Sequence, residues 1–176
     1  MTFDEYVVLA QRTASTKTNA DKIGHGCLGL IGEAGEVVDI IKKMTYMGMT
    51  REMAREKLID EVGDCCWYIA EWCMGSGNYM QEIFDAAAGF YNSFSLESWA
   101  VGMVDDAYNL WYDCAHDEYR CKMRDDARDI ANGIKAICHK IDATLDEVLE
   151  HNIDKLKKRY PEGFCADRSN MRYEHG

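Results

Sequence analysis

Residues 29–67 read GLIGEAGEVVDIIKKMTYMGMTREMAREKLIDEVGDCCW. Apolar residues recur at three- and four-residue spacing on either side of one break, Thr45-Tyr46-Met47-Gly48-Met49-Thr50. That pattern predicts a helix over 22–44 and a second over 51–74, folded back on each other as an antiparallel hairpin. Each carries an i, i+3 pair of acids on one face, Glu33 and Glu36 on the first, Glu61 and Asp64 on the second. Both pairs lie roughly 12–20 Å from the turn at about 1.5 Å per residue, so Glu36 faces Glu61 and Glu33 faces Asp64. Leu30, Ile31, Val37 and Val38, then Leu58, Ile59, Val62 and Trp67, place these acids beside a core-facing stripe. Unpaired carboxylates are costly there. One acid pair alone reads as solvated surface on an amphipathic helix. Two pairs at matched distances from one turn instead predict cations between them. Oxygen-only ligands suit Mg²⁺, with Mn²⁺ as a substitute, and not zinc. Glu33, Glu36, Glu61 and Asp64 are the expected metal ligands.

Outward from the hairpin, helix signals continue. Thr2-x-x-Glu5 is a capping box opening a first helix that runs to about Ser15, and 16–21 reads as a polar loop. Residues 78–92 read as a helix, Ser95 caps another over 96–118, and a further one spans 119–141. Thr144-x-x-Glu147 is a second capping box, opening a last helix to Arg159 before Pro161. Gly24, Gly26, Gly29, Gly32 and Gly35 crowd one predicted helix at about 1 kcal/mol each relative to alanine. Close helix packing explains them, or, at Gly32 and Gly35, approach of backbone to a ligand. The aromatics of 78–143, among them Tyr79, Phe84, Phe90, Tyr91, Phe94, Trp99, Tyr108, Trp111 and Tyr112, fit a core or a subunit interface.

The chain has 176 residues, 47% of them hydrophobic, and a single proline. One all-α domain spanning 1–176 is expected, with 78–143 a helical insertion and 165–176 a tail. A net charge of −11 disfavours duplex nucleic acid as a partner. No stretch has the roughly 18 consecutive apolar residues of a membrane span. The start, MTFDEYVVLAQRT, lacks the basic and apolar regions of a signal peptide. The eight cysteines form no C-x-x-C pair, and a cytoplasmic protein with reduced thiols is expected. Cys114, His116, Cys121, Cys138 and His139 match no zinc spacing. Asp113-x-x-His116 stands alone where a di-iron bundle needs two Glu-x-x-His units.

GEAGE followed by DEVGD, an E-x-x-E and then an E-x-x-D, resembles the MazG-like family of all-α nucleoside triphosphate pyrophosphohydrolases, a superfamily that includes dimeric dUTPases and dCTP pyrophosphatases. The run His151-Asn152-Ile153-Asp154-Lys155-Leu156-Lys157-Lys158-Arg159-Tyr160-Pro161-Glu162-Gly163-Phe164 is similar to the end of that family's last core helix. The likeness covers roughly 1–77 and 144–165, and 78–143 lies outside it. It implies an antiparallel helical bundle of that superfamily's type and a homodimer or homotetramer. It also implies hydrolysis of nucleoside triphosphates to a monophosphate and pyrophosphate.

The residue types suit such chemistry. Phosphoryl-type transfer needs charge neutralisation and an aligned water more than a covalent nucleophile. Glu36 and Glu61 are the candidate catalytic carboxylates, Glu36 as general base. Lys43, Lys155 and Arg159 are candidates to meet the triphosphate, although basic residues ending a helix also complement its dipole. Asn152 is a candidate for base or sugar. His25 is either a packing residue or a ligand contact. Asp39 extends the first acid row, whereas Asp60 reads as solvated. No P-loop is present to suggest γ-phosphate cleavage. A non-catalytic helical interaction module related to this family is the alternative.

Overall fold

The computed structural model describes residues 1–89, 92–116 and 120–164, with backbone alone at 120 and 121. Phe90, Tyr91, the side chain of Cys121 and the 165–176 tail lie outside the described residues. All regular structure among the described residues is helical: α1 Phe3–Gln11, α2 Asn19–Tyr46, α3 Arg51–Ser76, α4 Met80–Ala86, α5 Leu96–Ala115, α6 Arg120–Lys140 and α7 Leu145–Arg159. No helix among them is long and apolar enough to cross a membrane.

The ends follow local chemistry. Thr2 and Glu5 form the expected capping box on α1. The second half of the loop expected over 16–21 is instead helix, because Thr18 and Asp21 make a reciprocal box that opens α2 three residues early. Thr50 caps α3, and Gly77 ends it in the left-handed region at φ 74°. Asn78 and Gly77 then both donate to the Cys73 carbonyl, closing the helix end. The helix expected over 78–92 stops at Ala86. There Lys135 donates to the Phe84 and Ala87 carbonyls, at 2.5 and 3.4 Å. Thr144 caps α7, but the second box is only half made: the Glu147 carboxylate receives Arg55 of α3, both oxygens at 2.9 Å.

The α2–α3 hairpin is the centre. At its far end a Cβ on Gly75 would stand 2.7 Å from the Asn19 carbonyl, and one on Gly26 would stand 3.0 Å from Trp72. The start of α2 therefore lies against the end of α3, and the two run antiparallel. α5 packs along α2, α6 against α5, and α1 and α7 against α3. Of the crowded glycines, Gly26 and Gly29 make close approaches, whereas Gly24, Gly32 and Gly35 have open space around them. Trp72, Tyr6, Leu30, Leu58, Ile69 and Ile134 are fully buried, each apolar side chain of this size contributing about 1.5–3 kcal/mol. Within 78–143, Phe84 is core, while Tyr79, Phe94, Tyr108 and Tyr112 are exposed.

Candidate metal centre and its cleft

The hairpin register sets the site. Gly75 opposes Lys22, and Gly29 opposes Tyr68, whose ring crosses α2 where a Cβ would stand. One further turn along, Glu33 reaches the level of Asp64. Ligand oxygens of Glu33, Glu61 and Asp64 all lie within 4.8 Å of one another, the only such group of ligand-type side chains among the described residues. The donors are all oxygen. Glu33, Glu61 and Asp64 would hold a hard cation such as Mg²⁺, which takes oxygen ligands.

The arrangement departs from the expected four-carboxylate cluster. Glu36 is exposed and lies outside the 4.8 Å group. It still acts on Glu61, whose carboxyl is pushed above its ordinary range by burial first, then by Asp64, with Asp60 and Glu36 adding repulsion and Lys155 opposing. Asp64 faces α7, whereas Glu36 lies about one turn further along α2, on a side of the helix exposed to solvent.

Asp64 is clamped from α7. Its Oδ1 accepts from Asn152 Nδ2 at 2.8 Å and its Oδ2 accepts from Lys155 Nζ at 2.8 Å. Asn152 is wholly buried and its Oδ1 accepts the Tyr6 hydroxyl at 2.9 Å. Asn152, expected as a base or sugar contact, has both ends of its amide engaged inside the protein and orients Asp64. Gly63 makes this possible, since a Cβ there would stand 3.0 Å from Asn152. Lys155 also reaches Asp60 Oδ1 at 3.1 Å, which His151 Nε2 approaches at 2.9 Å. Asp60 is thus not merely solvated. Burial alone would raise its carboxyl, but Lys155 and His151 outweigh that and hold it low. Lys43 and Lys42 both pair with Asp39 on their own helix, so Asp39 serves these lysines and does not extend the acid row.

Two turns beyond Glu33 stands His25. Its Nδ1 lies 2.5 Å from Oε2 of Glu71, a carboxylate with no solvent exposure. Thr16 donates its hydroxyl to the other oxygen, Oε1, at 2.5 Å, and Lys22 donates to Thr16 at 3.3 Å. The bond to Glu71 raises the His25 pKa above its usual value, against burial and the Lys22 charge. Trp67 and Tyr68 meet the imidazole edge-on. Trp67 is itself fixed by donating Nε1–H to Ala10 and Thr13, both at 3.0 Å.

These groups share one cleft of about 460 Å³, with Glu33 and Asp64 at one end and His25, Trp67 and Tyr68 towards the other, and with Arg159, Tyr160 and Phe164 lining it from the α7 end. Its size suits a nucleotide-sized ligand. Glu71 is absent from the sequence candidates. A signal for it exists: it continues the Glu61–Asp64 stripe two turns further, as a lone acid in the apolar run YIAEWCMG. Asp113 and His116 form no metal pair: Asp113 is buried against Lys122 at 2.8 Å, and His116 Nδ1 bonds the Tyr112 carbonyl.

The comparisons with protein-family models, with curated proteins and with solved structures find no match for this chain.

Proposed function

We propose that the protein is a Mg²⁺-dependent nucleoside triphosphate pyrophosphohydrolase of the MazG-like type, cleaving between the α and β phosphates. The observation that carries this reading is the all-oxygen group Glu33, Glu61 and Asp64, of which Glu33 and Asp64 line a cleft of nucleotide size. The paired-acid motif and the RYPEGF run support it by resemblance. A bound Mg²⁺, or Mn²⁺ in its place, would neutralise phosphate charge and lower the pKa of a water. Glu33, Glu61 and Asp64 would hold it. Asn152 and Lys155 keep Asp64 aimed, Arg159 meets phosphate within the cleft, and Lys43 meets the part of the triphosphate that leaves it. Glu36, exposed and near enough to Glu61 to repel it, would accept a proton from water arriving from solvent. The same reading takes the bundle to be of the superfamily's type, the protein to be cytoplasmic, and the chain to work as a homodimer or homotetramer.

The alternative, a related non-catalytic interaction module, is favoured by one feature: Lys155 already neutralises Asp64. One experiment separates them. A deoxynucleotide panel is incubated with Mg²⁺ and the products resolved by ion exchange. Monophosphate and pyrophosphate are expected. A diphosphate with orthophosphate refutes the bond assignment, and no turnover with any nucleotide favours the module.

A further inference from the structure

His25 lines the cleft, backed by the buried Glu71, and neither belongs to the acid group that would hold a metal ion. Eight residues separate His25 from Glu33 along α2, about 12 Å at 1.5 Å per residue. A span of that order accommodates the α-phosphate, sugar and base of one nucleotide. The walls change in the same direction, from carboxylates at Glu33 and Asp64 to the rings of Trp67 and Tyr68 around His25. Aromatic faces suit a base, and carboxylates suit a cation carrying phosphate.

Resting on the pyrophosphohydrolase reading, we propose that His25, held by the buried Glu71, reads the base edge and selects nucleotides that present a carbonyl oxygen there, as uracil and thymine do, over those that present an amino group, as cytosine does. An ionised carboxylate only accepts hydrogen bonds, so Glu71 fixes a proton on His25 Nδ1. Nε2 is left for the cleft and has no protein partner among the described residues. The imidazolium presents Nε2–H, a charged donor that a carbonyl satisfies and an amino group cannot. The raised His25 pKa favours this form. The charges facing the ring are Glu71 from α3 and Lys22 from α2, with Arg159 of α7 lining the same cleft. Thr16 on the second Glu71 oxygen keeps that carboxylate from turning away.

The test uses dUMP and dCMP, which differ at this edge and need no turnover, titrated calorimetrically into the full chain near pH 6.5. A hydrogen bond to a charged donor predicts dUMP binding roughly 10–100-fold tighter. His25→Phe should keep the aromatic wall and remove the gap. Glu71→Gln, which can still accept from Thr16, should narrow it. The gap should also shrink as pH rises through the His25 pKa, since the neutral ring presents an acceptor. Equal affinities in the wild type, a gap that survives His25→Phe, or no dUMP binding at millimolar concentration overturns the proposal. Failure of the reaction assignment would appear separately, in the product panel.

Discussion

Asn152→Leu is the sharpest probe of how the site is built. The leucine is close in volume but can neither donate to Asp64 nor accept from Tyr6. The 2.8 Å bond to the Asp64 carboxylate is charge-assisted, about 1.5–3 kcal/mol, and the 2.9 Å bond from Tyr6 about 0.5–1.5 kcal/mol. Tyr6 has no exposure, and its hydroxyl keeps only a long 3.4 Å approach to the Gly63 carbonyl, so water does not replace what is lost. A total near 3 kcal/mol is a large part of the ~5–15 kcal/mol typical of a domain. In a chain of this size it should lower Tm by about 6–12 °C. The assay is urea unfolding followed by circular dichroism, with the m-value checked for constancy. Tyr6→Phe alone should cost about 1–2 kcal/mol, and the double variant less than the sum, because removing the hydroxyl as well leaves no orphaned donor beside the leucine. A cost for Asn152→Leu below about 0.5 kcal/mol, or strict additivity with Tyr6→Phe, would refute the claim that one buried amide ties α1 to Asp64.

Mg²⁺ or Mn²⁺ should raise Tm, by about 2.7 kcal/mol of stabilisation at a hundred times its Kd, and Glu61→Gln should weaken that response; an unchanged response in a thermal-shift titration places the ion elsewhere. The Glu61 carboxyl is raised in the fold, so its contribution to stability is full below its unfolded pKa and is lost as pH rises through the folded value. Without metal, Glu61→Gln should therefore be more stable than wild type at pH 7, the difference fading towards pH 4 in urea titrations. The Cys114 thiolate is favoured by hydrogen bonds from Cys27 and Trp72, which lower its pKa, whereas burial pushes Cys73 and Cys138 to about 12. Iodoacetamide with peptide mapping should label Cys114 ahead of Cys73 and Cys138 at neutral pH, and equal labelling of all three refutes this. Lys155→Ala should lower kcat several-fold, because Asp64 loses the partner that keeps it aimed; wild-type kinetics would show that Asp64 needs no such support.

The hairpin is legible because periodicity and glycine breaks act over one or two turns, the range a sequence displays directly. The facing of Glu33 and Asp64 follows from the turn position alone. What is not legible depends on partners far along the chain. Asn152 resembles a ligand contact because nothing in HNIDKLKKRY reveals that Tyr6, at the other end of the sequence, covers it. Glu71 reads as one acid in an apolar run, and its meaning comes from Thr16 and His25 on other segments. Thr18-x-x-Asp21 is a readable capping box, hidden only because aspartate takes the place usually held by glutamate. The early end of α4 has its partner in Lys135, on a different helix.

Gly29 gives the cleft an adjustable width. The Tyr68 ring lies across α2 in the space a side chain at 29 would fill, with ring atoms 2.1–2.4 Å from the first carbon of such a side chain. Backbone cannot yield there without opening the hairpin, so the ring must swing, and the free volume next to it is the cleft that Tyr68 lines. A single methyl group at position 29, behind the Tyr68 ring, thus becomes an aromatic wall moved inward. Chains of this design can trade a roomy mouth for a narrow one by changing a residue that touches no ligand, leaving the acids and their clamp where they are.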